Sequence, residues 1–112
     1  MTISHFDFGD LKMDETIFDD RGKEIGKLSL HENGFMIRYE TDDEDVSEKV
    51  SYANFISAET IGPSTVPDKI KAKISFMDMY GDKYNLAIII SDPAVVMFNA
   101  LKRQSENKKK KG

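Results

Sequence analysis

The stretch SDPAVVMFNALKRQ, residues 91–104, decides the fold, because no other segment has so clear a helical pattern. Ser91 or Asp92 can accept hydrogen bonds from the free amides of the first turn, and Pro93 suits the first helical position. Apolar residues recur at the spacing of one helical face: Ala94, Met97, Phe98 and Leu101. This face must be buried against other elements, and the preceding segments all have strand patterns. The sequence therefore predicts a row of strands closed by one terminal helix.

The clearest strand signal is a hairpin in the first half of the chain. Asn33-Gly34 lies between two apolar runs, residues 24–30 and 35–40. Asn-Gly is a strong hairpin signal because both residues tolerate positive φ. The second run alternates apolar and polar side chains, as a half-buried strand does. We predict two antiparallel strands here.

Further short strands are predicted on both sides of this hairpin. Residues 70–77 and 83–90 alternate around the turn Tyr80-Gly81-Asp82, which is typical of paired antiparallel strands. The segment 62–68 carries two prolines, which cannot donate to a strand ladder, so it is predicted to be a surface loop. The remaining candidate strands are residues 16–18, 49–52 and 55–61.

Six or seven strands followed by a helix indicate an α+β fold, mainly antiparallel. We predict a partly open barrel capped by the C-terminal helix, because closure removes strand edges and the helix covers the core. This arrangement resembles the pleckstrin-homology-like fold. The competing arrangement is an open antiparallel sheet with the helix across one face. We expect a polar lead-in at residues 1–14, the domain at residues 15–104, and a disordered basic tail at residues 105–112.

Composition limits the class of protein. The 112 residues suffice for one core, and no apolar run approaches the roughly 20 residues of a membrane span. The chain has no cysteine, which excludes disulfides and thiolate metal sites and fits a cytoplasmic location. Its net charge of −4 opposes nucleic-acid binding, which depends on neutralising phosphates.

No motif for catalysis or metal binding stands out. His5 and His31 are the only histidines, and they lack the partner spacing of a metal pair. The acidic run at residues 42–45 lacks the alternating acids and the turn glycine of a calcium loop, so we interpret it as a solvated loop. No G-x-S-x-G elbow or phosphate-binding glycine loop is found. We therefore expect a protein that is not an enzyme and uses no cofactor.

The barrel prediction raises the possibility of lipid binding. Pleckstrin-homology domains that hold inositol phosphates resemble one another in a basic pattern on the first hairpin, a lysine followed later by K/R-x-R. The corresponding stretch here, residues 21–29, has Glu24 among its few basic residues and no K/R-x-R. Because phosphates bind best to clustered Arg and Lys donors, a membrane-surface or headgroup-binding role is kept only as the alternative function.

A second resemblance is carried by the order of short motifs along the chain. These are Gly-x-Leu-x-Leu from Gly26, Gly-Phe-x-Ile from Gly34, VSYANFISAETIG at residues 50–62, and Ile-x-Ala-x-Ile-x-Phe from Ile70. With the Phe-x-x-Leu of the closing helix, this order is similar to the archaeal taxis adaptor family CheF. The resemblance implies a non-enzymatic adaptor linking the phosphorylated response regulator CheY to the motor of the archaellum.

The family resemblance offers no partner-binding motif, so the candidate contacts follow from exposure and charge. Lys69, Lys71 and Lys73 are predicted to line one side of a strand beside the proline-bearing loop. Since response regulators are acidic at their phosphorylation site, this lysine row could steer association. With Ile61 and Val66, the lysines form our predicted contact surface for a protein partner; a solvated strand face is the plainer interpretation.

Overall fold

The computed structural model describes residues 8–111, with side chains described as far as residue 107. It contains seven strands, one short 3₁₀ turn and one helix. In chain order they are β1 (Leu11–Phe18), β2 (Glu24–His31), β3 (Gly34–Glu40), β4 (Asp45–Ser51), the 3₁₀ turn (Tyr52–Asn54), β5 (Phe55–Pro63), β6 (Ile70–Met77), β7 (Lys83–Ile90) and α1 (Asp92–Lys111).

All seven strands belong to one antiparallel sheet with the order β4-β3-β2-β1-β7-β6-β5. β1 and β7 are joined at a single residue pair, Phe18 with Ile89, whereas the other neighbours pair along most of their length. The sheet is open, with β4 and β5 as its outer strands. The predicted α+β fold, with six or seven mainly antiparallel strands and one C-terminal helix, is confirmed, and the number of strands is seven.

One core joins the two halves of the sheet to the helix. The ring of Phe35 on β3 lies 5.6 Å from that of Phe55 on β5, 5.7 Å from that of Phe76 on β6 and 4.9 Å from that of Phe98 on α1. All four rings are fully buried. Since β3 and β5 lie far apart in the strand order, these contacts mean that the sheet curls around a shared core, as a partly open barrel does.

The helix buries the face that its sequence predicts. Ala94, Phe98 and Leu101 are buried, Met97 packs partly buried against the core, and Val96 faces outward. The predicted cap is also present, because the hydroxyl of Ser91 accepts a hydrogen bond from Ala94 N at 3.3 Å. The helix runs on to Lys111, past the predicted end at residue 104.

The hairpin at Asn33-Gly34 forms, but for a different reason from the one predicted. Neither residue has a positive φ. Gly34 is instead needed for close packing, because a Cβ on it would lie 2.6 Å from the carbonyl oxygen of Val50 on β4. The glycine therefore allows a close approach of β3 and β4 rather than a left-handed turn.

Two other turns share one hydrogen-bond pattern. Oδ1 of Asp19 accepts from the amides two and four residues further on, each at 2.9 Å, and Oδ1 of Asp78 does the same. Three residues after each aspartate, Gly22 and Gly81 have φ values of 81° and 85°. The aspartate and the glycine thus fix each turn, and the two residues between them are left to solvent.

Two strands begin earlier than predicted. β1 starts at Leu11 rather than at residue 16, and β4 starts at Asp45 rather than at residue 49, so that Glu48 lies in this strand. Both strands place a carboxylate on the face that turns toward the core, and this breaks the apolar alternation on which the prediction depended.

Some expectations stay predictions. The division into lead-in, domain and tail stays a prediction, and His5 lies outside the described residues, as do the side chains of Lys108–Lys111. Within the part of the chain that is described, no helix is both long enough and apolar enough to cross a bilayer.

Candidate protein-interaction surface

Of the predicted contact residues, Ile61 lies on β5, Lys71 and Lys73 lie on β6, and Val66 and Lys69 lie in the loop between these strands. On β6 the side chains alternate: Ala72 and Ile74 are fully buried, whereas Lys71 and Lys73 point to the opposite, outer face. Ile61 lies on the adjacent strand β5. The term outer β5–β6 surface is used below for Ile61, Lys71, Lys73 and the carboxylates that pair with these lysines.

Both lysines of this surface are paired with carboxylates. Lys71 Nζ lies 3.3 Å from Oδ1 of Asp20, in the turn between β1 and β2. Lys73 Nζ lies 3.9 Å from Oε1 of Glu59, its cross-strand neighbour on β5. The pairs are exposed, so each contributes little to stability. The lysine row is therefore not a free positive stripe but alternates in sign with its acidic partners.

Lys69 belongs to a different environment from the other two lysines. Its Nζ lies 3.1 Å from Oε2 of Glu15, a β1 carboxylate that is only 9% exposed, and 5.8 Å from the ring centre of Phe18. The same Oε2 atom accepts a hydrogen bond from the backbone N–H of Ser91 at 2.6 Å. Lys69 thus neutralises a buried carboxylate that joins β1 to the start of α1, and its main contacts are inside the domain.

Ile61 is the exposed apolar residue of the surface. A register shift between Thr60 and Gly62 makes a bulge in β5, and Ile61 at this bulge remains 50% exposed. Bulges redirect side chains in this way, and they are common near functional sites. Along the pairing of β5 with β6, Ile61 therefore lies between the Lys73–Glu59 pair and the Lys71–Asp20 pair.

Val66 lies half-buried in the loop that follows β5. The hydroxyl of Ser64 donates to the carbonyl oxygens of Val66 and Lys69. The hydroxyl of Thr65 donates to the backbone carbonyl oxygen of Asp20 at 3.0 Å. These bonds hold the loop against the β1–β2 turn and place Asp20 beside Lys71. Between loop and sheet is a shallow cavity of about 340 Å³ lined by Asp20, Pro63, Ser64, Thr65, Lys71 and Ile89.

A larger cleft of about 620 Å³ opens between the β1–β2 turn and the loop after β3. Six carboxylates line it, at positions 19, 20, 24, 40, 42 and 43, against the two cations Arg21 and Lys23. Nearby, burial and the Glu44 carboxylate raise the pKa of the Tyr39 hydroxyl to about 12. The cleft is negative, so it disfavours an anionic ligand.

Neither His31 nor the acidic side chains of the described residues form a metal site. Nδ1 of His31 lies 3.1 Å from the carbonyl oxygen of Gly9, which gives this histidine a structural contact. Among residues 8–107, no group of three or more His, Asp or Glu side chains is arranged to hold a metal ion. What the geometry offers is a surface of mixed charge around an apolar side chain.

The sequence did not reveal the acidic partners of the lysines. Glu59 could have been found from a correct β5–β6 register, but the bulge at Ile61 shifts that register by one residue. Asp20 and Glu15 come from distant parts of the chain, and no local pattern links them to Lys71 and Lys69.

No family model matches this chain, and no curated protein matches it.

Proposed function

We propose that this chain is a non-enzymatic protein-interaction adaptor with a pleckstrin-homology-like fold. The observation that carries the proposal is the outer β5–β6 surface, where half-exposed Ile61 lies beside the Lys71–Asp20 and Lys73–Glu59 pairs. Protein interfaces combine an apolar centre with a polar rim, and the apolar centre supplies most of the affinity. Charges of both signs at the rim select a partner more than they strengthen its binding.

The finer form of the proposal concerns the partners. The order of seven antiparallel strands and one closing helix supports a pleckstrin-homology-like architecture, and the motif order from Gly26 to the helix is similar to that of the CheF family. On this basis we propose a role in archaeal taxis, between phosphorylated CheY and the motor of the archaellum. The acidic phosphorylation site of CheY would replace the carboxylates of Asp20 and Glu59 as the partner of Lys71 and Lys73.

The alternative function is binding to a membrane surface or a lipid headgroup. It is weakened by the charges, because Lys69, Lys71 and Lys73 are each paired with a carboxylate. The cleft between the β1–β2 turn and the loop after β3 is lined by more carboxylates than cations, which repels phosphate. The basic residues Lys108–Lys111 are the remaining support for this alternative.

The proposal is tested with Ile61→Asp and a control of equal exposure, Leu11→Asp, since Leu11 on β1 is 52% exposed. Binding to purified phosphorylated CheY is measured by titration calorimetry, and co-purification from the native source covers other partners. We expect Ile61→Asp to weaken binding about tenfold or more, as loss of an interface centre does, and Leu11→Asp to leave it unchanged. Equal effects of the two variants would contradict the proposed surface.

Two further measurements separate the partner classes. Charge reversal at Lys71 and Lys73 should slow association with an acidic partner and leave the fold intact. Sedimentation with phosphatidylserine vesicles is compared for the chain with and without residues 108–111. Pelleting that depends on this tail would favour the membrane alternative over the adaptor.

A further inference from the structure

The two outer strands of the sheet differ in what lies along their free edges. Along β5, α1 supplies two donors: Lys102 Nζ to the carbonyl oxygen of Phe55 at 2.7 Å, and Asn99 Nδ2 to that of Ala58 at 3.1 Å. Along β4, no strand pairs with the outer edge anywhere in residues 8–111. An unpaired strand edge presents amides and carbonyls to which an extended chain can add. β4 is therefore the edge that can accept another strand.

The side chains of β4 define what such a strand would meet. Val46 and Val50 are buried and point toward the core, and Glu48 lies between them on the same face, half-buried. Asp45, Ser47 and Lys49 are exposed on the opposite face. A strand added at this edge would extend the inner face of the sheet. Every second side chain of that strand would lie beside Val46, Glu48 or Val50.

Glu48 lies in a negative environment. Burial and the nearby Asp78 carboxylate raise its pKa above the ordinary value of 4.5. Tyr84 on β7 has a raised pKa as well, caused first by Glu48, then by burial, and then by Asp78 and Asp82. Within the described side chains, none of the three carboxylates forms an ion pair. The inner side of the β4 edge thus favours an incoming cation.

We propose that β4 binds an extended segment of a protein partner by strand addition, and that this segment carries an arginine or lysine flanked at two residues on either side by apolar residues. The apolar side chains lie beside Val46 and Val50, and the cation lies beside Glu48. This interaction goes beyond the proposed function, because it involves none of the residues of the outer β5–β6 surface.

A second copy of this chain fits the edge less well than such a segment. Antiparallel self-pairing that brings Val46 of one copy opposite Val50 of the other also brings the two Glu48 side chains opposite each other. Like charges directly opposite on paired strands are destabilising. The same carboxylate that favours a cationic partner strand therefore opposes a symmetric dimer through β4.

The test uses three synthetic peptides and the full chain labelled with ¹⁵N. The first has the sequence Thr-Val-Thr-Arg-Thr-Val-Thr, the second has Glu in place of Arg, and the third has Pro in place of the threonines beside Arg. Backbone amide shifts should change at residues 45–51 with the first peptide. We expect it to bind about three- to tenfold more tightly than the Glu peptide, the ratio that one favourable and one unfavourable cross-strand pair give, and the Pro peptide to bind least.

Two variants sharpen the test. Glu48→Gln should bring the affinities for the Arg and Glu peptides close together, whereas Asp45→Asn, a carboxylate of the same strand that faces outward, should preserve their ratio. Absence of shifts up to the solubility limit of the first peptide, shifts centred on β5 or α1, or equal binding of the Arg and Glu peptides would each overturn the proposal. So would β4 shifts that appear on raising the protein concentration without peptide, which would indicate self-association. None of these results depends on Ile61, so the proposed function would stand or fall separately.

Discussion

The two edges of this sheet are protected in different ways. β5 is protected by its own chain, because α1 runs beside it and donates side-chain hydrogen bonds to two of its carbonyls. β4 is protected by its polar composition, since four of its seven residues are polar and lie exposed or half-exposed on the outer face. The comparison shows that α1 has two roles, filling the core and covering an edge. Within residues 8–111, β4 has no such cover, and this is the edge at which we propose that a strand adds.

The largest expected effect comes from removing the apolar contact that holds α1 in place. Phe98→Ala should lower the free energy of unfolding by about 3–5 kcal/mol, because the ring is fully buried against Phe35 and Phe55. Urea denaturation followed by circular dichroism measures the loss. The control is Val96→Ala, at a side chain that is 61% exposed, which should change stability by less than about 0.5 kcal/mol. Phe98→Leu gives a measurable smaller loss if the alanine variant does not fold.

A smaller effect is expected where α1 begins. Lys69→Ala leaves the buried carboxylate of Glu15 without its cation, and we expect a loss of about 1–3 kcal/mol, reduced from that of a fully buried pair because Lys69 is partly exposed. Lys73→Ala should cost less than about 0.5 kcal/mol, since its pair with Glu59 is exposed. Similar losses for the two variants in urea denaturation would mean that Lys69 is not structural.

The cover of β5 is tested directly by the double variant Asn99→Ala and Lys102→Met. It removes the donors to Ala58 O and Phe55 O but keeps an apolar stem over the Phe55 ring. We expect a loss of about 1–2 kcal/mol and, by sedimentation velocity, a new tendency to associate, because an uncovered edge can pair with another copy. Arg103→Ala, exposed on the same helix, is the control. A variant that stays monomeric and fully stable would contradict the covering role.

The smallest effect is expected at β4 and depends on pH. Because the pKa of Glu48 is raised in the folded state, the folded chain holds this proton more tightly than the unfolded chain, so stability falls as pH rises through and above 4.5. Glu48→Gln removes this penalty and should stabilise the domain by less than about 1 kcal/mol at neutral pH, with the gain vanishing as the pH falls below 4.5. Urea denaturation across this pH range measures the difference. A gain independent of pH would point to packing instead of charge.

The parts of the fold that the sequence predicts are those with a regular apolar pattern. α1, β6 and β7 follow local periodicity, and their buried faces can be read residue by residue. β1 and β4 could not be delimited in this way because each has a glutamate facing inward, Glu15 or Glu48. A buried glutamate is stable on β1 only because Lys69 and the Ser91 amide reach it from distant parts of the chain. No local pattern contains that information.

The same reasoning explains the candidate surface. Alternation along β6 was enough to place Lys71 and Lys73 together on the outer face. Whether they are free or paired depends on the bulge at Ile61 and on the loop that brings Asp20 beside Lys71. These features arise from tertiary contacts, so the sequence predicted the position of the lysines but not their charge balance.

The turn fixed by Asp78 gives this chain an internal reporter for chemical footprinting. Its two tip residues, Met79 and Tyr80, are 80% and 81% exposed, and the hydrogen bonds that hold the turn use the backbone amides of Tyr80 and Asp82 rather than either tip side chain. Mild peroxide should therefore convert Met79 to its sulfoxide before the less exposed Met36 and Met77, without unfolding the hairpin. A partner that covers this end of the domain would slow that conversion, and mass spectrometry could locate it without any label or substitution.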